Sequence, residues 1–315
     1  MKKRVFLIGV MLMTLMFAPS IFAQGNTEAS SGKKQLVFGF SHSNLSNEFM
    51  VTLQKGITDK CKELGIKVIC NNPEMDANKQ MSEVESFIAQ GVDLIIIDPV
   101  DTDASGPAID KARAAGIPIV SVNSVTTNPS DAFIGSADEE ASQIAINYLA
   151  KRLNGKGNIA MIHGNPGQSA EVKRSSGAYE MLKKYPDLKL ITEETANWSR
   201  EKAMSLTEDW IQKYGNSLNA IFAQNDEMAM GCVQAAENEG IKDKLIIIGV
   251  DAIPDALQAI KEGRDDATVF QDAYGQGQEV VEIAYELING KKVSKETFIP
   301  FQLVTKDNVD KFISK

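Results

Sequence analysis

A set of residues recurs at related places along this chain and shares one chemistry. Asn47, Phe49 and Met50 come shortly after the apolar run 36–40, and Asn123 and Ser124 directly follow the run 117–122. Arg174 lies beyond a Gly/Pro loop that follows 158–162, and Trp198 comes after 189–192. Asn225, Asp251 and Gln271 stand just past the runs 220–223, 245–250 and 268–270. The inventory is amides, a carboxylate, a guanidinium and aromatic rings. Sugar or polyol hydroxyls each donate and accept, and planar amide, carboxylate and guanidinium groups can serve two adjacent hydroxyls at once. Aromatic rings cover the apolar C–H faces of a sugar ring. A phosphate would call for several cations or a Gly-rich loop opening into a helix. The run ends offer mainly one cation, Arg174. The pattern fits the capture of a small polyhydroxy molecule.

Taken singly, each residue has a plainer reading. Asn after a strand is commonly a turn former or a helix N-cap. Asp226, directly before Glu227-Met228-Ala229, reads as such a cap and is left out of the set. Phe49 fits the apolar face of a helix, Arg174 a solvated surface, and Trp198 ordinary half-buried packing. Recurrence at the end of run after run favours the shared site. Serine-hydrolase, P-loop, zincin and C-x-x-C motifs are absent, so no enzyme is expected. His42 and His163, the only histidines, read as structural or rim residues. No ligand cluster suggests a metal, and no cofactor is expected. Cys61, Cys70 and Cys232 are an odd set. A Cys61–Cys70 disulfide stays open beside the reading of small buried thiols.

The elements that must carry these residues follow from the hydrophobic pattern. Ten short apolar runs alternate with longer amphipathic segments. Continuous apolar runs of this length suit parallel strands buried on both faces. Between them, Phe49, Leu53, Ile57 and Cys61 recur every four residues, and Met81, Val84, Phe87 and Ile88 follow a similar helical period. Gly65, Gly91 and Gly116 each stand between such a segment and the next run, where a helix C-terminus takes the left-handed conformation. Strand–helix alternation means βαβ units with right-handed crossovers. The theme repeats before and after about residue 136, giving two α/β lobes with a cleft between them, the ordinary place for a ligand.

Lys2, Lys3 and Arg4 precede an apolar stretch that ends near residue 17, with Ile21-Phe22-Ala23 after it. This is the three-part pattern of a cleaved secretory signal over 1–23, followed by a flexible leader over 24–32. The expected protein is therefore exported and soluble. Losing the signal takes the formal charge from −9 to −12, and an acidic body without a cationic cluster argues against nucleic acid as a partner.

The stretch Gln224-Asn225-Asp226-Glu227-Met228-Ala229, with Gly249-Val250-Asp251 and Pro254 after it, resembles the periplasmic sugar-binding proteins of the ribose/galactose-binding type. Further matching stretches run from Asp98 to Ala104 and from Ala115 to Val120. The resemblance covers nearly all of the chain after the signal. It implies an α/β fold of two Rossmann-like lobes, parallel sheets flanked by helices, joined by a three-crossing hinge (periplasmic binding protein type I). The implied lobes are 33–136 plus 272–300 and 137–271 plus 301–315. It implies ligand contacts at Asn47 and Phe49, with Met50 where a second aromatic often stands. Arg174, Trp198, Asn225, Asp251 and Gln271 complete the implied set. Asn123-Ser124 occupies the place of an Asp-Arg pair, so a hexose, a modified sugar or a polyol stands open beside ribose. The implied partner is an ABC transporter permease, with a chemoreceptor or sensor kinase as the alternative. A monomer is expected, closing on its ligand by hinge motion. A LacI-type regulator, which shares this fold, would need a helix-turn-helix where the signal stands.

Overall fold

The computed structural model describes residues 34–313, and the signal and leader expected over 1–32 lie outside the described residues. From Gln35 onward the chain packs as a single unit. It begins β1 (Val37–Ser41), α1 (Glu48–Glu63), β2 (Lys67–Asn71), α2 (Ala77–Gln90), β3 (Leu94–Ile97), α3 (Gly106–Ala114), β4 (Ile119–Val122) and β5 (Ala132–Gly135). It continues with α4 (Asp138–Arg152), β6 (Gly157–His163), α5 (Ser169–Leu182), β7 (Leu188–Thr195), α6 (Arg200–Tyr214), β8 (Ala220–Ala223), α7 (Asp226–Asn238) and β9 (Ile246–Asp251). It ends with α8 (Pro254–Glu262), β10 (Ala267–Phe270), α9 (Ala273–Ile288), β11 (Glu296–Phe298), β12 (Gln302–Thr305) and α10 (Asp310–Ile313).

The strands form two six-stranded sheets, ordered β11-β5-β4-β3-β1-β2 and β12-β10-β9-β8-β6-β7. All pairings are parallel except β10 with β12. The chain passes from one sheet to the other three times: after β5, after β10, and between β11 and β12. Side-chain alternation explains the continuous apolar runs. In β3, Leu94 and Ile96 enter one core cluster while Ile95 and Ile97 enter another on the opposite face. In β8, Ala220 and Phe222 face one cluster and Ile221 and Ala223 the other. Each buried Ile or Phe contributes roughly 1.5–3 kcal/mol through removal from water.

Gly65, Gly91 and Gly116 adopt positive φ of 70°, 66° and 75°, as the sequence pattern requires. Cys61, Cys70 and Cys232 are free thiols, so no Cys61–Cys70 disulfide forms; Cys61 and Cys232 are buried.

In each sheet the strand order reverses around one strand, β1 in the first and β6 in the second. Loops leaving the carboxyl ends beside such a reversal diverge and leave a crevice, the usual ligand position in open α/β sheets.

Candidate functional site

Two helix caps bring one amide from each sheet to the crevice. Asn47 caps α1, its Oδ1 accepting from Met50 N–H at 3.0 Å. Asn225 caps α7 in the same way, accepting from Met228 N–H at 3.0 Å. Each cap uses the amide oxygen, and both residues line one cavity. The plain reading of these Asn residues as caps and their place at the cavity are thus compatible. Asp226 is not the cap. It is the first residue of α7, fully buried, and accepts from Thr268 Oγ1 at 2.7 Å and from Ile253 N–H at 3.1 Å.

The cavity is a small, partly open crevice with about 30 Å³ of room for the centres of water-sized molecules. Asn47, Phe49, Met50, Asn123, Arg174, Trp198, Asn225, Asp251 and Gln271 line it, together with Gln168 and Ala170. Ser124 does not. It is buried, with its hydroxyl beside the buried Asp98 carboxyl. Asn123 takes a left-handed turn (φ 63°), and the residue after it is carried out of the lining.

Arg174 is buried rather than solvated, at 3 % exposure. Its Nε donates to Asp138 at 2.9 Å, Nη1 to the Gln224 carbonyl at 2.6 Å, and Nη2 to Gln271 Oε1 at 2.8 Å. Its guanidinium lies 5.9 Å from the Trp198 ring centroid. The fork is therefore fixed before any ligand arrives, which lowers the ordering cost of binding. Burial raises the Asp138 carboxyl, with Arg174 opposing the rise. Burial also pushes Asp251 well above the ordinary carboxylate range; Arg174 opposes this and Asp226 adds to it. On the other side, Asn123 donates to Asp98 Oδ1 at 3.4 Å and accepts from Gln271 at 3.4 Å, linking the two sheets. Asp98 is fully buried, and desolvation lifts its carboxyl to about 6, against hydrogen bonds from Ser43 and Asn123.

Backbone strain concentrates here. Of the non-glycine residues with positive φ, Asn123, Trp198 (62°) and Asp251 (126°) line the cavity, and Asn197 and Ala252 adjoin them. Such conformations cost of order 1–3 kcal/mol each and persist where surroundings over-determine them, often at ligand sites.

The loops facing each other across the crevice touch directly. Thr102 N–H donates to the Gly167 carbonyl at 2.9 Å, and Val125 N–H donates to Ser169 Oγ at 3.0 Å. Gly167 has φ 88°, and a Cβ there would meet Asp101 Oδ2 at 2.3 Å. These contacts join the two halves beside the cavity.

Neither histidine lines the cavity. Burial holds His42 down at about 4, neutral, with its Nε2 2.7 Å from Gln54 Oε1. His163 sits among Ser175, Glu171 and Glu193. Among the described residues no group of His, Cys, Asp and Glu is placed to hold a metal, and no helix is long and apolar enough to cross a membrane.

Sequence reasoning missed Gln168 and Ala170. Gln168 holds the N-cap position of α5, as Asn47 and Asn225 do for their helices. That shared position after a strand was the signal available, but the Gly/Pro loop drew attention onward to Arg174.

Two α/β layers, three passes of chain between them and a polar cavity flanked by aromatics define a cleft-type solute-binding protein. The chain belongs to the periplasmic binding protein domain family, whose sequence pattern matches residues 38–292. It is 35% identical over 308 residues to the ribose import binding protein of Bacillus subtilis, covering 97% of this chain and 99% of that protein. It is 34% identical over 287 residues to the xylitol-binding protein of Mycolicibacterium smegmatis, covering 91% and 81% respectively. An ABC transporter solute-binding protein from Bacillus halodurans, solved with bound myo-inositol, superposes with TM-score 0.85 at 36% identity. That match covers 89% of this chain and 98% of the other.

Proposed function

We propose that this protein captures a neutral monosaccharide or polyol between two closing lobes and delivers it to an ABC transporter permease outside the cytoplasm. The observation that carries the reading is one polar cavity lined from both sheets. Its lining carries one carboxylate, Asp251, and one cation, Arg174, whose Nε already meets Asp138. That balance suits hydroxyls better than phosphate or carboxylate groups. Ligands of the relatives, ribose, xylitol and myo-inositol, support the same class. Without the Asp-Arg pair at Asn123-Ser124, the first lobe offers neutral amide contacts, which favours a polyol over ribose.

In this reading the lobes are 33–136 plus 272–300 and 137–271 plus 301–315, and the three passes form the hinge. Asn47 and Asn123 hold the ligand from the first lobe, and Arg174, Asn225, Asp251 and Gln271 hold it from the second. Phe49 and Trp198 cover its apolar faces. Ligand favours the closed state only through contacts made better there than in the open one.

The test is a thermal-shift screen of the signal-free protein with myo-inositol, xylitol, D-ribose, D-glucose and glucose 6-phosphate. A neutral compound at about a hundred times its Kd should stabilise the fold by about 2.7 kcal/mol, and the phosphate ester should not. Asp251→Ala should abolish the shift while the ligand-free protein still melts cooperatively. The reading fails if no sugar or polyol shifts the transition while an amino acid or nucleoside does.

A further inference from the structure

Gln168 is 2 % exposed, lines the cavity and accepts a hydrogen bond from Trp198 Nε1–H at 2.7 Å. The direction of that bond is fixed chemically. An indole nitrogen only donates, so the amide oxygen must face it. The Nε2–H pair of the same rigid amide then points elsewhere. Among the described residues, no protein acceptor meets it. That amide nitrogen is not sealed from solvent, so water can accept from it until a ligand oxygen takes that place.

Trp198 needs such a restraint. It follows Asn197, and both carry positive φ, 52° and 62°, which is rare for a bulky residue. Its ring lies flat over Gly164, where a Cβ would approach Trp198 Cζ2 to 1.9 Å. Gly164 N–H is itself held by Gln224 Oε1 at 3.0 Å. Glycine beneath the ring and the amide at its nitrogen together leave the indole one position.

We propose that Gln168 is both a positioning residue for Trp198 and a further ligand contact. Its Oε1 fixes the indole plane, and its Nε2–H groups donate to an oxygen of the bound sugar or polyol. The ligand half of this assignment rests on the function proposed above; the positioning half does not.

The chain contains two tryptophans, and Trp210 is buried in a core cluster of the second sheet. Comparison with Trp198→Phe therefore assigns the emission of Trp198. Gln168→Met, which keeps length but removes both polar atoms, should red-shift that emission and increase its quenching by acrylamide in the ligand-free protein. Gln168→Glu, which keeps an acceptor for the indole, should restore the parental signal. Titration calorimetry with myo-inositol and D-ribose then separates the two roles. Gln168→Met should weaken binding about tenfold or more. In the Trp198→Phe background, where there is no indole N–H to hold, it should still cost several-fold. An unchanged Trp198 signal in Gln168→Met overturns the positioning role. A cost that vanishes in the Trp198→Phe background overturns the ligand contact. If neither probe binds the unsubstituted protein, the proposed function fails while the fluorescence arm still decides the positioning role. Should Gln168→Met not fold, Gln168→Glu and Gln168→Asn are read the same way, Asn being too short to reach the indole.

Discussion

Asp98 shows how much a single carboxyl can matter near this cavity. Its pKa in the fold, about 6, lies above the ordinary 3.8. The folded state therefore keeps the proton longer than the unfolded chain, and stability falls as pH rises from about 4 through 6. Asp98→Asn keeps an oxygen for Ser43 and removes the buried charge. It should raise stability by about 1–3 kcal/mol above pH 7, with the gain shrinking below pH 5; urea melts across pH 4–8 measure this. Arg174 works in the opposite sense. Arg174→Met leaves Asp138 buried without its cation, and should cost about 3 kcal/mol at neutral pH, less in acid where Asp138 takes up a proton. At this scale the sequence was legible where chemistry and position coincide, as at Arg174, Asn225 and Asp251. Ser124 stands off the lining of this cavity, after the left-handed turn at Asn123. Asp226 is not the cap the sequence suggested, because two adjacent polar residues both suit one.

At the scale of elements, apolar runs announced ten strands, the inner ones because they are buried on both faces, while β2 and β7 at the sheet edges are only partly buried. Leu94–Ile97, Ala132–Gly135 and Ala220–Ala223 fall where those runs place them. The last two strands were not legible. β11 and β12 lie at sheet edges and are short, and Glu296 and Phe298 of β11 are exposed, so neither leaves a continuous apolar signal. The loop between β6 and α5 was legible only as a Gly/Pro turn. In the structure it holds Trp198 through Gln168 and meets the opposite half through Gly167 and Ser169. Ser169→Ala removes the acceptor for Val125 N–H, a bond between the halves. It should weaken ligand binding about three- to tenfold, chiefly by faster dissociation in stopped-flow traces. The melting of the ligand-free protein should change little.

For the whole molecule, an acidic chain is expected to hold a ligand without net charge, so long-range steering plays little part. Affinity should change less than about twofold between about 50 and 500 mM NaCl, since salt screens only interactions between charges. Calorimetry with the polyol that gives the largest thermal shift measures this, and a steep loss with salt would point to an ionic ligand instead. The two-layer plan and its cleft were legible from the alternation of runs and amphipathic segments. The sheet orders, in which β1 and β6 each lie between neighbours drawn from both sides, were not, because strand pairing leaves no mark in a single sequence.

The chain completes its two sheets with its last strands, β11 on one and β12 on the other, separated by Ile299, Pro300 and Phe301. A nascent chain still tethered at its C-terminus therefore lacks an outer strand on each sheet, along with α9, which packs against α1. Synthesis from the N-terminus cannot finish one half and then begin the other. Both halves wait for the same final segment, so a break within residues 296 to 305 would strip the outer strand from each sheet at once.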